Sequence, residues 1–157
     1  MREPIKREDL QNLLKKLRKD GKTIVTTNGC FDILHVGHVR YLEETKKHGD
    51  ILIVALNSDK SVKSIKGEGR PINTELDRAE VLNALKSVDY VVLFDEDSPV
   101  NLLAEIKPDV HTKGADYNID TLPEAKIIID NGGRLEFIQF VPGKSTTSTI
   151  EKINAQK

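Results

Sequence analysis

Leu10, Leu13, Leu14 and Leu17 recur at helical spacing within a charged stretch, a single apolar stripe that predicts an amphipathic helix ending at Gly21. Beyond it the pattern changes. The segments "TIVTTN" (Thr23 to Asn28), "ILIVAL" (Ile51 to Leu56), "YVVLF" (Tyr90 to Phe94), "DVHTK" (Asp109 to Lys113) and "RLEFIQF" (Arg134 to Phe140) are short and rich in β-branched or aromatic residues, as buried strands are. Helix-period stretches separate or follow them: Val39 to Lys47, Thr74 to Leu85, Pro99 to Ile106, Pro123 to Asp130 and Ser148 to Asn154. Thr74 and Asp77 are spaced as a capping box, and Pro99 and Pro123 suit a first helical turn.

Strands that alternate with helices imply right-handed crossovers and a parallel sheet covered on both faces, a doubly wound α/β arrangement of five strands. Ligands of such sheets bind beyond the carboxyl ends of the strands. The chemically distinctive clusters fall there: "NGCFDILHVGH" after the first strand, "NSDKSVKSIKGEGR" after the second, "DEDSP" after the third and "GADY" after the fourth. With 157 residues the chain suits one domain, a helical segment at 1–22 leading into a core at 23–157.

Charge narrows the function classes. The formal net charge is −1 with both signs interleaved, so no basic stripe points to nucleic acid. The longest apolar run is far below the roughly twenty residues needed to span a bilayer. Cys30 is the only cysteine and the first residues are charged rather than apolar, which predicts a cytoplasmic protein without disulfides.

His35 and His38, with Gly37 between them, admit three readings. A histidine on a loop is commonly a satisfied polar residue. Zinc needs three or four ligands, whereas the chain adds only Cys30 beside the pair and His48 and His111 in other segments. In the third reading both imidazoles face a phosphate at the start of a helix near His38, where free N–H groups already attract anions and two further donors would stabilise growing phosphoryl charge.

Here the residues carry a family resemblance. A strand followed by "GCFDILHVGH" resembles the signature of the H-x-G-H nucleotidyltransferases, which include cytidylyltransferases and pantetheine-phosphate adenylyltransferases. The resemblance implies a Rossmann-like domain in which His35 and His38 contact the triphosphate, with Asn28, Gly29, Cys30, Phe31, Asp32 and Gly37 around the nucleotide. The basic stretch holding Lys63, Lys66, Arg70 and Arg78 could be only a solvated face. It is similar to the family's phosphate-neutralising loop, with Lys66 and Arg78 as the matches. "KGADY" could be turn chemistry, or Lys113 and Gly114 could touch phosphate or ribose and Asp116 a hydroxyl or a magnesium water. The hydroxyls of "GKSTTSTI" could cap the last helix, and Ser145, Thr146 and Thr147 resemble the family's phosphate-receiving "STT" segment.

From about Thr26 to Ile153 the segments, in order, look like the adenylyltransferases of D-glycero-manno-heptose 1-phosphate. That likeness implies that ATP and the heptose 1-phosphate give ADP-heptose and pyrophosphate, for lipopolysaccharide or other heptose glycoconjugates. Magnesium would bridge phosphate oxygens with few protein ligands. Many members are fused to a sugar kinase domain, so the expectation here is a separate upstream kinase, with a homodimer as one possible assembly. His111 departs from the aliphatic residue expected in the fourth strand, and neither it nor Asp32 has an assigned role. Cys30 lacks an evident base and is expected to pack rather than attack. The alternatives are a glycerol-3-phosphate cytidylyltransferase-like enzyme and a non-catalytic nucleotide-binding regulatory module.

Overall fold

A computed structural model describes residues 2–139 and 145–156. Five strands, β1 (Ile24–Gly29), β2 (Ile51–Asn57), β3 (Tyr90–Phe94), β4 (Val110–Gly114) and β5 (Arg134–Ile138), form one parallel sheet in the order β3-β2-β1-β4-β5. The order reverses between β1 and β4, where Val25 pairs with Val110 and Thr26 with His111. A Rossmann-like sheet opens its ligand crevice at such a switch point.

The helices are α1 (Arg7–Lys19), α2 (Val36–Lys46), α3 (Asp59–Lys66), α4 (Glu75–Asn83), α5 (Val100–Ile106), α6 (Ala125–Asp130) and α7 (Thr146–Ala155). The alternating faces of the strands feed two cores. On one face Val25, Leu52, Val54, Leu56 and Val91 pack with Tyr41 and Leu42 of α2 and Ala79 and Leu82 of α4. On the other, Ile24, Ile53, Ala55, Val92 and Phe94 pack with Leu10, Leu14 and Leu17 of α1 and with Leu102 and Ile106 of α5. The leucine stripe of α1 is therefore a core cover.

The strands fall within a residue or two of the expected runs; Phe140, expected to end β5, lies outside the described residues. Two helices differ more. The basic stretch after β2 opens with a full helix, α3, capped by Ser58 Oγ accepting from the Ser61 amide. Lys63 and Lys66 therefore ride on a helix, and the loop is confined to residues 67–73. Helix α2 starts at Val36, three residues before the expected Val39, because His35 and His38 themselves cap it.

Candidate active site

The carboxyl ends of the strands border a cavity of about 520 Å³, within the range of small-ligand sites. Its wall begins with the β1 exit. Phe31 adopts φ +46°, a left-handed conformation uncommon for a bulky residue, and a Cβ on Gly29 would lie 2.9 Å from its ring. Glycine at 29 thus makes room for an aromatic ring that sits 5.5 Å from the His38 ring.

The two histidines form a reciprocal cap. His35 Nδ1 accepts from the Gly37 amide at 3.0 Å, and His38 Nδ1 accepts from the His35 amide at 3.2 Å. An imidazole whose Nδ1 accepts carries its proton on Nε2 when neutral, so the backbone assigns both rings the Nε2–H tautomer. Burial, aided by the neighbouring His35, pushes the His38 pKa down to about 4. His38 is therefore a neutral hydrogen-bond donor at pH 7.

The neutrality of His38 ties stability to pH. A pKa of about 4 in the folded protein against the ordinary 6.5 means that the unfolded chain binds more protons between those values. The contribution of neutral His38 is complete above pH 6.5 and is lost as the pH falls towards 4. Melting temperatures from about pH 7.5 to about pH 4.5 should fall less steeply in His38→Asn than in the parent; equal slopes would contradict the assignment.

A second helix start meets the first. Ser145 caps α7 through Oγ, which accepts from the Ser148 amide at 2.9 Å, and the Thr146 hydroxyl donates to the Ile33 carbonyl at 3.1 Å. That bond ties α7 to the loop leaving β1, so Ser145, Thr146 and Thr147 line the cavity beside His35, Gly37 and His38. Two helix N-termini facing one space favour a polyanion there.

Asp32, left without a role by the sequence, anchors the loop between α3 and α4. Its carboxylate accepts from the Ile72 and Asn73 amides (2.9 Å each) and from Arg70 Nε at 2.9 Å, while Asn73 Nδ2 donates to the Asp32 carbonyl at 2.8 Å. Burial alone would raise its pKa; the Asn73 and Ile72 amides and Arg70 outweigh that and hold it below the usual range. The clasp keeps Arg70 at the cavity wall, with Lys66 nearby.

Asn28, Gly29, Cys30, Phe31, Asp32, Gly37, Lys66, Lys113 and Gly114 all border the cavity. Burial pushes the Cys30 thiol pKa up, against the pull of Lys66, Arg78 and Arg70, so it is not a thiolate nucleophile. Lys113 Nζ donates to Asn28 Oδ1 at 3.3 Å and lies 4.4 Å from the Tyr117 ring centroid. Burial lowers its pKa despite nearby Glu124 and Asp116.

Two residues expected at the site lie elsewhere. Arg78 is 2% exposed and points inward: Nη1 donates to the carbonyls of Cys30 (2.7 Å) and Asn57 (2.8 Å), Nε to that of Asn73 (3.0 Å), and Nη2 to Asp59 Oδ1 (2.9 Å). It braces the ends of β1 and β2 from beneath instead of bordering the cavity. Asp116 is exposed and lies outside the cavity wall.

The wall also contains residues to which sequence reasoning assigned no individual role, although Asn57, Asp97, Ser98 and Tyr117 fall within the clusters noted after the strands. Towards β2 and β3 these include Asn57, Asp97 and Ser98; towards β4 they include Tyr117, Leu122, Pro123 and Glu124. The first flank is polar and the second is an aromatic and apolar surface edged by one buried carboxylate. Among the described residues no three His, Cys, Asp or Glu side chains are grouped to hold a metal ion, and no helix is long and apolar enough to cross a membrane.

Comparison with known proteins agrees with this architecture. A cytidylyltransferase-like family model matches residues 26–148. The chain is 53% identical over 148 residues to the bifunctional protein HldE of Aliarcobacter butzleri, covering 93% of this chain and 30% of that one. It is 48% identical over 147 residues to the bifunctional protein HldE of Syntrophotalea carbinolica, covering 94% of this chain and again 30% of the other. This chain thus spans about 30% of the length of these curated relatives. Among solved structures, the lipopolysaccharide core biosynthesis protein of Thermoplasma volcanium is 33% identical with a TM-score of 0.63, covering 77% of this chain and 98% of that one. A shared fold, a family match over most of the chain and an H-x-G-H cap facing the cavity lead to one conclusion: the chain belongs to the cytidylyltransferase-like family of nucleotidyltransferases.

Proposed function

We propose that the chain transfers the adenylyl group of ATP to a heptose 1-phosphate, giving ADP-heptose and pyrophosphate. The observation that carries this reading is the meeting of the histidine-capped start of α2 with the Ser-Thr-Thr start of α7 at one cavity. That arrangement offers neutral N–H and O–H donors to a triphosphate without a protein nucleophile. An oxygen of the sugar phosphate attacks the α-phosphorus in line, the P–O bond to the β-phosphate breaks, and pyrophosphate leaves with the electron pair. Catalysis is then positioning and stabilisation of charge on the phosphoryl oxygens.

In this reading His35 and His38 donate Nε2–H to the α- and β-phosphates. Lys66 and Arg70 neutralise charge from the side of β2, the first turn of α7 holds the phosphate tail, and Lys113 and Gly114 approach the nucleotide from β4. Arg78 acts only through the strand ends it braces. Magnesium, when bound, would screen the triphosphate and polarise the leaving pyrophosphate. Among the described residues no three His, Cys, Asp or Glu side chains are grouped to hold it, and Asp32 is engaged by Arg70 and two amides, so it would enter on the nucleotide. The reaction consumes ATP and a sugar phosphate, both cytoplasmic metabolites, so the cytoplasm is the compartment this reading requires.

The sugar class rests on the sequence likeness to heptose 1-phosphate adenylyltransferases and on the role in lipopolysaccharide core biosynthesis ascribed to the Thermoplasma volcanium protein. The cytidylyltransferase-like family name keeps a second enzyme reading, cytidylyl transfer to glycerol 3-phosphate. Pyrophosphate release should be measured with ATP or CTP against heptose 1-phosphates, hexose 1-phosphates and glycerol 3-phosphate. The proposal expects release with ATP and a heptose 1-phosphate; release only with CTP and glycerol 3-phosphate would replace it, and no release with any pair would favour a regulatory module.

A further inference from the structure

The nucleotide reading gives no role to a deeply buried carboxylate of the cavity wall. Glu124, with a side chain 3% exposed, stands just before α6 and makes no side-chain cap bond there. It borders the cavity beside Leu122, Pro123 and the half-exposed ring of Tyr117. Directly behind it is His111, fully buried on β4, whose Nε2 lies 3.7 Å from Glu124 Oε1 and whose Nδ1 is 2.7 Å from Thr26 Oγ1.

Each part of this arrangement serves the carboxylate. If Thr26 donates to Nδ1, the His111 proton sits on Nε2, the nitrogen 3.7 Å from Glu124 Oε1, an electrostatic contact longer than a hydrogen bond. Burial keeps His111 neutral, against the pull of Glu124, while the His111 contact and the Lys113 charge outweigh the burial of Glu124 and hold it ionised. An ionised carboxylate only accepts hydrogen bonds. The surfaces next to it, Tyr117, Leu122 and Pro123, are flat and apolar like the faces of a nucleobase, whereas the opposite flank with Asn57, Asp97 and Ser98 suits hydroxyls.

We propose that Glu124, oriented by His111, accepts a hydrogen bond from the exocyclic amino group of the nucleotide's base and so selects amino-bearing bases over oxo-bearing ones. Adenine and cytosine present a donor where hypoxanthine and uracil present a carbonyl oxygen, and a carbonyl against this carboxylate would set two acceptors face to face. The buried imidazole that departs from an aliphatic strand residue thereby gains a purpose as a positioning residue. The inference rests on the nucleotide reading but not on the identity of the acceptor sugar.

Direct binding titrations of the full chain with ATP, inosine triphosphate, purine riboside triphosphate and 3′-deoxy-ATP, without any sugar phosphate, test it. The parent should bind ATP about 10- to 100-fold more tightly than inosine triphosphate, with purine riboside triphosphate, which lacks the amine, also weaker than ATP. Glu124→Gln, whose amide can donate or accept, should shrink the ATP-to-inosine preference to a few-fold and leave the response to 3′-deoxy-ATP unchanged. Equal binding of ATP and purine riboside triphosphate by the parent would overturn the proposal even if the variant does not fold. So would a Glu124→Gln protein that keeps the full preference, or one that loses only its response to the ribose 3′-hydroxyl, which would make Glu124 a ribose contact. Binding of no triphosphate at all would instead overturn the nucleotide reading on which the proposal stands.

Discussion

His38→Ala should fold and bind ATP yet release pyrophosphate roughly 10²- to 10³-fold more slowly, the usual effect of removing one donor that stabilises transition-state charge. The expectation follows from the reciprocal cap: with Nδ1 committed to the His35 amide, Nε2–H is the group of this ring that can face a phosphoryl oxygen. The lost cap bond costs the helix about 1 kcal/mol, too little to unfold it. The loss should appear in kcat more than in KM, because the donor matters most as charge grows on the oxygens. A folded His38→Ala protein with near-parental turnover would remove the histidine from the chemistry.

Arg78→Lys should lower both stability and activity. One guanidinium holds the carbonyls of Cys30, Asn57 and Asn73 and the carboxylate of Asp59, and a lysine ammonium cannot reach all four from one position. Leaving even one or two buried carbonyls without donors costs on the order of 2–4 kcal/mol. Because two of those carbonyls lie at the ends of β1 and β2, the exit loop bearing Phe31 and Asp32 should loosen as well. The prediction is a melting temperature lower by several degrees, with a raised KM for ATP. An Arg78→Lys protein of parental stability with only a phosphate-binding defect would return Arg78 to the role first expected from sequence.

Arg78 also marks where sequence reasoning stops. Its position after the second strand, amid other cations, conveyed charge but not direction; only folding shows that the side chain turns under the strand ends. Lys66 and Arg70, from the same stretch, do reach the wall, the latter because Asp32 holds it. The five strands were legible because each is a compact β-branched run with little competing helical period, and α1 because its four leucines repeat cleanly. Helix α3 was hidden by its composition: "DKSVKSIK" is short and charged, with only Val62 fully buried among its apolar residues. Glu124 was invisible for a different reason. A lone glutamate beside a proline reads as an ordinary helix start, and its meaning comes from His111 on another element and from the cavity it edges.

The histidines were legible as a pair at a helix start beyond the first strand, and their geometry was not. Spacing and the following helix pointed to a phosphate; that each ring caps the helix with Nδ1, fixing its tautomer, required the backbone geometry.

The central claim, attack of a sugar phosphate oxygen on the α-phosphorus of ATP at the histidine-lined cavity, is tested most directly by isotope transfer. With ATP and a heptose 1-phosphate carrying ¹⁸O in its non-bridging phosphate oxygens, mass spectrometry should find all of the label in ADP-heptose and none in pyrophosphate. Formation of AMP with a labelled sugar triphosphate would put the attack on the β-phosphorus and contradict the account.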